Sequence, residues 1–63
     1  MYIKKITGYM VGTYNNACFY LANRNIIPDI VKTSPNGLRS GFYKNGKKIA
    51  EYREDKMELK IYS

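Results

Sequence analysis

The residues of this chain best suited to chemistry are its cations and the aromatic residues placed between them. Residues 1–50 carry eight Lys or Arg against one acid, Asp29, whereas residues 51–63 carry three bases against four acids. The first part therefore has a charge of +7 and the last part −1, which sum to the net +6. Seven tyrosines and two phenylalanines lie among these charges. A small basic chain of this kind is expected to bind an anionic partner.

The clearest basic motif is the segment Lys44-Asn45-Gly46-Lys47-Lys48. Asn-Gly is a strong signal for a two-residue hairpin turn, so the lysines are predicted to cluster at a hairpin tip. Because like charges around one turn repel each other, a bound phosphate would relieve the repulsion. The motif thus predicts a finger that contacts phosphates. The alternative is that the lysines only solubilise the turn and protect a sheet edge from aggregation.

A direct two-residue turn at Asn45-Gly46 pairs Phe42 with Ile49, and places both on an outward sheet face with Tyr62. There they could stack on nucleic-acid bases or anchor a partner protein. The alternative is that the helix or the N-terminal strand covers this cluster and makes it part of the core. In the same register the core face consists of Gly41, Tyr43, Ala50, Tyr52, Met57, Leu59 and Ile61.

Further cations extend the candidate surface. Arg39, predicted opposite Tyr52, could form a cation–π pair, or its long side chain could only cover the margin of the core. Arg24, at the predicted end of a helix, could contact a phosphate. The candidate residues for binding nucleic acid or a partner are Lys32, Arg39, Phe42, Lys44, Lys47, Lys48, Ile49 and Tyr62.

The sequence contains no recognisable enzymatic signature. It has no histidine, so the commonest general base and the partner that a nucleophilic Cys18 would need are both missing. The five glycines are scattered and form no phosphate loop, and no Cys/His set could hold zinc. Four acids of residues 51–58 read as a solvated hairpin, in which Glu51 faces Lys60 and Arg53 faces Glu58. We therefore expect a non-enzymatic protein without a cofactor or a metal.

Composition also suggests where such a protein works. A single cysteine excludes an intramolecular disulfide, and no stretch approaches the length of a membrane span or a signal peptide. This pattern predicts a soluble cytoplasmic protein with no membrane partner. Lys, Asn, Ile and Tyr, all encoded by AT-rich codons, total 28 residues (8, 6, 7 and 7). That bias is typical of a low-GC bacterium or one of its phages.

The order of apolar residues and turn signals predicts a single domain over residues 1–63 with an α+β fold. One strand over 2–12 precedes a short helix over 14–24, which Thr13 or Asn15 begins and a left-handed Asn25 ends. The helix packs on a small antiparallel β-meander of four strands, at 29–33, 38–44, 47–53 and 57–62. Turns at 34–37, 45–46 and 55–56 separate them. The alternative makes residues 17–22 a strand and gives an all-β small barrel.

The segment from Tyr20 to Lys32, followed by Arg39 to Ile49, resembles the recognition helix and wing of phage excisionases. In that family a helix ends in a tight turn, an Ile-Pro leads into a strand, and a basic hairpin follows. The resemblance covers about half of the chain. Residues 1–13, where the first helix of the helix-turn-helix would lie, read as a strand, so no functional residue is carried over.

Three functions are compatible with these patterns. The first is nucleic-acid binding through the basic, aromatic hairpin surface. The alternative is a phage-type inhibitor or accessory factor, which binds an anionic surface of a host protein or defence complex. A homodimer through an edge strand, at 57–62 or 2–11, is compatible with either.

Overall fold

The computed structural model describes residues 6–62, which form one helix and one five-stranded antiparallel sheet. The elements are β1 (Ile6–Met10), α1 (Tyr14–Asn23), β2 (Ile30–Thr33), β3 (Arg39–Lys44), β4 (Lys47–Arg53) and β5 (Glu58–Tyr62). The strand order is β1-β5-β4-β3-β2, and the sheet stays open. The predicted α+β meander is therefore confirmed, and the all-β barrel is wrong. The first residues of the predicted strand over 2–12 lie outside the described range.

Local signals account for the helix and both of its ends. The hydroxyl of Thr13 accepts a hydrogen bond from the Asn16 N–H at 3.2 Å, which caps the first turn. At the other end Asn25 takes a left-handed φ of 60°. The Ile26 N–H then donates to the Leu21 carbonyl at 2.9 Å, in a Schellman-type closure that carries Ile26 back toward the core.

The turns also follow their residue types. Gly37 N–H donates to the Ser34 carbonyl at 2.9 Å, which closes the Ser-Pro-Asn-Gly turn. Asn45 and Gly46 take φ values of 53° and 78°, the signs that a type I′ hairpin turn requires. The third turn places Met57 at a φ of 51° and joins β4 to β5 in the predicted register, with Arg53 opposite Glu58.

The pairing of β3 with β4 departs from the predicted register. Lys44 faces Lys47 and Tyr43 faces Lys48, but Phe42 then faces Ala50, because a β-bulge at Ile49 adds one residue to β4. Beyond the bulge every pairing is shifted by one residue, so Arg39 lies opposite Arg53 and not Tyr52. A shift of one residue moves a strand's side chains to the opposite face relative to its neighbour.

The core therefore forms between α1 and the sheet face that carries Phe42. Its fully buried side chains are Ala17 and Leu21 from the helix and Phe42, Ala50, Tyr52 and Leu59 from the sheet. The predicted core positions Ala50, Tyr52 and Leu59 are confirmed, and Ile61 packs against them. Met57, 56% exposed, was assigned to the core wrongly, as were Gly41 and Tyr43, which lie on the opposite face.

One expectation about chain organisation needs correction. Strand β5 lies between β1 and β4, so residues 57–62 form no edge, and the edges are β1 and β2. The predicted strand in residues 1–13, where a helix-turn-helix would have its first helix, is confirmed at Ile6–Met10.

Candidate nucleic-acid interface

The candidate site is the sheet face opposite α1, here called the open face. Side chains alternate along a strand, and cross-strand partners share a face. Phe42, Ala50 and Ile61 pair in a row that faces the helix, so the next row lies on the other side. Within residues 6–62, α1 is the only helix, and no second layer covers the open face. The open face carries Lys32, Arg39, Gly41, Tyr43, Lys48, Glu51, Arg53, Glu58, Lys60 and Tyr62, with the exposed apolar Ile6, Met10 and Ile30 and with Gly8 on its two edge strands.

This face is strongly basic. Among residues 6–62 it holds five cations against two acids, a charge of +3 within one surface. Arg39 and Arg53 lie directly opposite each other on β3 and β4, an arrangement of like charges that costs stability. Arg53 donates to the Asp55 carboxylate at 3.1 Å, which compensates one of the two. An anion bound beside Arg39 would relieve the remaining repulsion.

Tyr43 forms the floor of a shallow depression on this face. Gly41 has no side chain, and the Tyr43 ring lies over it so closely that a Cβ there would come within 2.9 Å of Tyr43 Cε1. The Lys32 ammonium lies 5.0 Å from the centre of the same ring, within cation–π range. Lys32, Arg39, Tyr43, Lys48 and Glu51 line the depression, whose volume is about 230 Å³. The depression thus combines an aromatic surface with cations on both sides.

Lys48 joins the two tyrosines of the open face. Its ammonium forms an ion pair with Glu51 and lies 5.7 Å from the centre of the Tyr62 ring. Burial by itself lowers the pKa of Lys48, but the hydrogen bond and charge of Glu51 outweigh it and leave the pKa raised. The electrostatic interactions with Tyr62 and Tyr43 also raise the pKa of Lys48. Lys48 is therefore held as a cation at the centre of the face.

The structure brings together only half of the predicted site. Lys32, Arg39, Lys48 and Tyr62 share the open face, whereas alternation sends the exposed Lys44 and Lys47 of the hairpin tip toward the helix side. Phe42 is only 1% exposed, so its prediction as a stacking or anchoring residue is wrong. Ile49 is half-buried against the core. The alternative weighed for this cluster, that the helix covers it, is correct for Phe42.

Among the cationic and aromatic residues of the open face, three were absent from the predicted site: Tyr43, Arg53 and Lys60. Arg53 and Lys60 could have been found, because the β4–β5 pairing that places them there was read correctly from the sequence. Tyr43 could not, since its position depends on the bulge at Ile49, for which the sequence carries no clear signal.

The helix side has a different character. The Arg24 guanidinium lies 4.7 Å from the Tyr20 ring centre and 5.0 Å from that of Tyr9, and it donates to the Tyr20 hydroxyl at 2.6 Å. Because the Arg24 guanidinium already contacts both rings, fewer of its N–H groups are available for the predicted phosphate contact. Beyond the helix end lies an apolar groove of about 310 Å³, lined by Asn25, Ile26, Ile27, Lys44, Ile49, Ile61 and Tyr62.

Other kinds of site find no support in the described residues. Residues 6–62 contain no group of three or more metal-ligating side chains, and no helix in that range is long and apolar enough to cross a membrane. Comparisons with protein-family models, curated proteins and solved structures found no match to this chain. The open face is the feature from which a function can be argued.

Proposed function

We propose that this chain is a non-enzymatic nucleic-acid-binding protein that contacts phosphates through the open face. The observation that carries the proposal is the concentration of five cations and two acids on a sheet face without a second layer in residues 6–62. Within the described range, two of these cations each form an ion pair with an acid, Lys48 with Glu51 and Arg53 with Asp55. Lys32, Arg39 and Lys60 are therefore the cations best placed to take phosphates. A cytoplasmic location, where the thiol of Cys18 would stay reduced, fits this role.

The size of the effect follows from counterion release. Each phosphate that a cation neutralises contributes about 0.7 to the slope of log affinity against log salt on single strands, and about 0.9 on duplex. Three contacts predict a slope of about −2 and five a slope of about −3.5 on single strands. Between about 50 and 200 mM salt, affinity should then fall by roughly 20- to 130-fold.

The test is fluorescence anisotropy with labelled DNA and RNA, both single-stranded and duplex, at these two salt concentrations. The double variant Lys32→Gln with Lys60→Gln should weaken binding and reduce the slope by about 1.4. The matched control, Lys44→Gln with Lys47→Gln, removes the same charge from the hairpin tip and should leave the slope unchanged. A wild-type protein that binds no nucleic acid at the lower salt, or equal losses in both variants, would overturn the proposal.

A second candidate function is supported by the apolar groove at the end of the helix. Ile27 at its margin is 65% exposed, and Lys44 lies beside it, so the groove suits an apolar side chain next to an acidic one on a host protein. This is the inhibitor or accessory-factor hypothesis, with the groove replacing Phe42 as the anchor. A purified host protein captured after nuclease treatment, and lost on Ile27→Asp but not on the open-face double substitution, would favour it.

A further inference from the structure

We propose that the open face selects single-stranded over duplex nucleic acid, with successive parts of the strand stacked on Tyr43 and Tyr62. This inference rests on the proposed function and names its substrate class. It starts from the two rings, which lie on β3 and β5 with β4 between them. Strands in a sheet are about 4.8 Å apart, so the two tyrosine backbones are roughly 10 Å apart and each ring would take a different base.

The sheet preorganises the ring of Tyr43. Tyr43 lies over Gly41, which keeps its ring against the sheet instead of extended into solvent. Each ring is also next to an ammonium group, Lys32 for Tyr43 and Lys48 for Tyr62. Because these ammonium groups lie over the rings, a stacking base would displace the lysine from the ring face, and the displaced lysine would then bind the phosphate of the same nucleotide. Aromatic platforms interleaved with cations are the arrangement that binds single strands with little sequence preference.

A duplex fits the same surface poorly. Five strands spaced at about 4.8 Å make a sheet roughly 19 Å wide, which exceeds the width of about 12 Å of a DNA major groove. When it lies flat across a groove, the open face therefore touches a duplex through its phosphates. The bases of a duplex are stacked on each other, so the tyrosines contribute nothing to its binding. Single strands gain the stacking energy in addition to the phosphate contacts.

The experiment compares single-stranded and duplex 20-mers of the same sequence at one salt concentration by anisotropy. Stacking on one ring is worth about 5- to 140-fold in affinity, so Tyr43→Ala should weaken single-strand binding by a factor in that range and leave duplex binding unchanged. Tyr43→Phe keeps the ring and should retain most of the affinity. The matched control is Phe19→Ala, which removes a ring that is 68% exposed on α1 and should have no effect.

A second measurement avoids any dependence on the folding of variants. Ultraviolet cross-linking of the wild-type protein to a single strand, followed by peptide mass spectrometry, should place the adduct on Tyr43 or Tyr62. Equal affinity for both nucleic-acid forms, with Tyr43→Ala silent, would overturn this inference and leave the proposed function standing. Absence of all binding would overturn both. A dimer in sedimentation that Tyr43→Ala converts to a monomer would place the open face in the dimer interface and would also overturn it.

Discussion

The carboxylate of Glu51 provides the sharpest single test of the open face. Of the described residues it is the only acid that lines the depression beside Tyr43, and it forms an ion pair with Lys48. Phosphate must therefore compete with Glu51 for this lysine. The substitution Glu51→Gln keeps the shape of the side chain, removes its charge and releases Lys48 from the carboxylate. The charge of the open face rises from +3 to +4.

The expected gain can be worked out from one additional phosphate contact. Relative to about 1 M salt, a contact that adds about 0.7 to the salt slope on single strands multiplies affinity by roughly 8 at 50 mM salt and by roughly 3 at 200 mM. The pair is partly buried, with the side chains of Lys48 and Glu51 31% and 14% exposed. The cost to stability should be about 1 kcal/mol, because the glutamine carbonyl can still accept a hydrogen bond from Lys48. Glu51→Gln should therefore fold normally and bind more tightly.

Anisotropy titrations of Glu51→Gln at both salts, with Glu54→Gln as the matched control, measure this effect. Glu54 lies in the exposed turn after β4, so its substitution changes net charge equally without altering the open face. Equal gains in the two variants would mean that only net charge matters. Weaker binding by Glu51→Gln, with an unchanged slope, would refute the reasoning, because Glu51 would then be positioning Lys48 and not competing for it.

Three predictions concern the fold. Burial, and next the charge of Glu54, raise the pKa of Tyr52 above 10.0. The neutral hydroxyl therefore contributes fully to the free energy of unfolding below pH 10, and this contribution is lost as pH rises through the pKa of the folded state. Urea unfolding should show a lower free energy at about pH 11 than at about pH 7, and Tyr52→Phe should reduce that difference. Phe42→Ala should cost about 3–5 kcal/mol and Phe19→Ala less than about 0.5, and similar losses in urea melts would contradict the assigned core. Gly46→Ala, at a φ of 78°, should cost about 1–2 kcal/mol in the same assay, and no loss would argue against the I′ turn.

Much of the fold could be predicted because its signals are local. The start of α1 at Thr13, its end at Asn25 and the turn at Asn45-Gly46 each depend on the conformational preferences of one or two residues and their hydrogen bonds to near neighbours. The pairing of β4 with β5 was also predictable, since it brings opposite charges together. These features set the strand order of the meander with no knowledge of the packed core.

The candidate site was only partly predictable, and Phe42 and Tyr43 show why. They are adjacent aromatic residues of similar size, and the hydroxyl of Tyr43 gives only a weak preference for burying Phe42 in its place. The direct two-residue register buries Tyr43, whereas the bulge buries Phe42 under α1 and turns Tyr43 to the open face. That one inserted residue places the β3 side chains beyond the bulge on the face opposite to the predicted one.

The sequence by itself determined an α+β meander, its turns and helix ends, and its excess of positive charge. Only the tertiary structure decided which sheet face exposes the cations, because that choice depends on the bulge at Ile49. This side chain packs against the core with Ile26 and Ile61, residues distant in the sequence. Side chains in a strand alternate with a period of two, so one inserted residue reverses the face on which the side chains lie. The contacts of that residue are with residues distant in the sequence, and local sequence signals do not predict them.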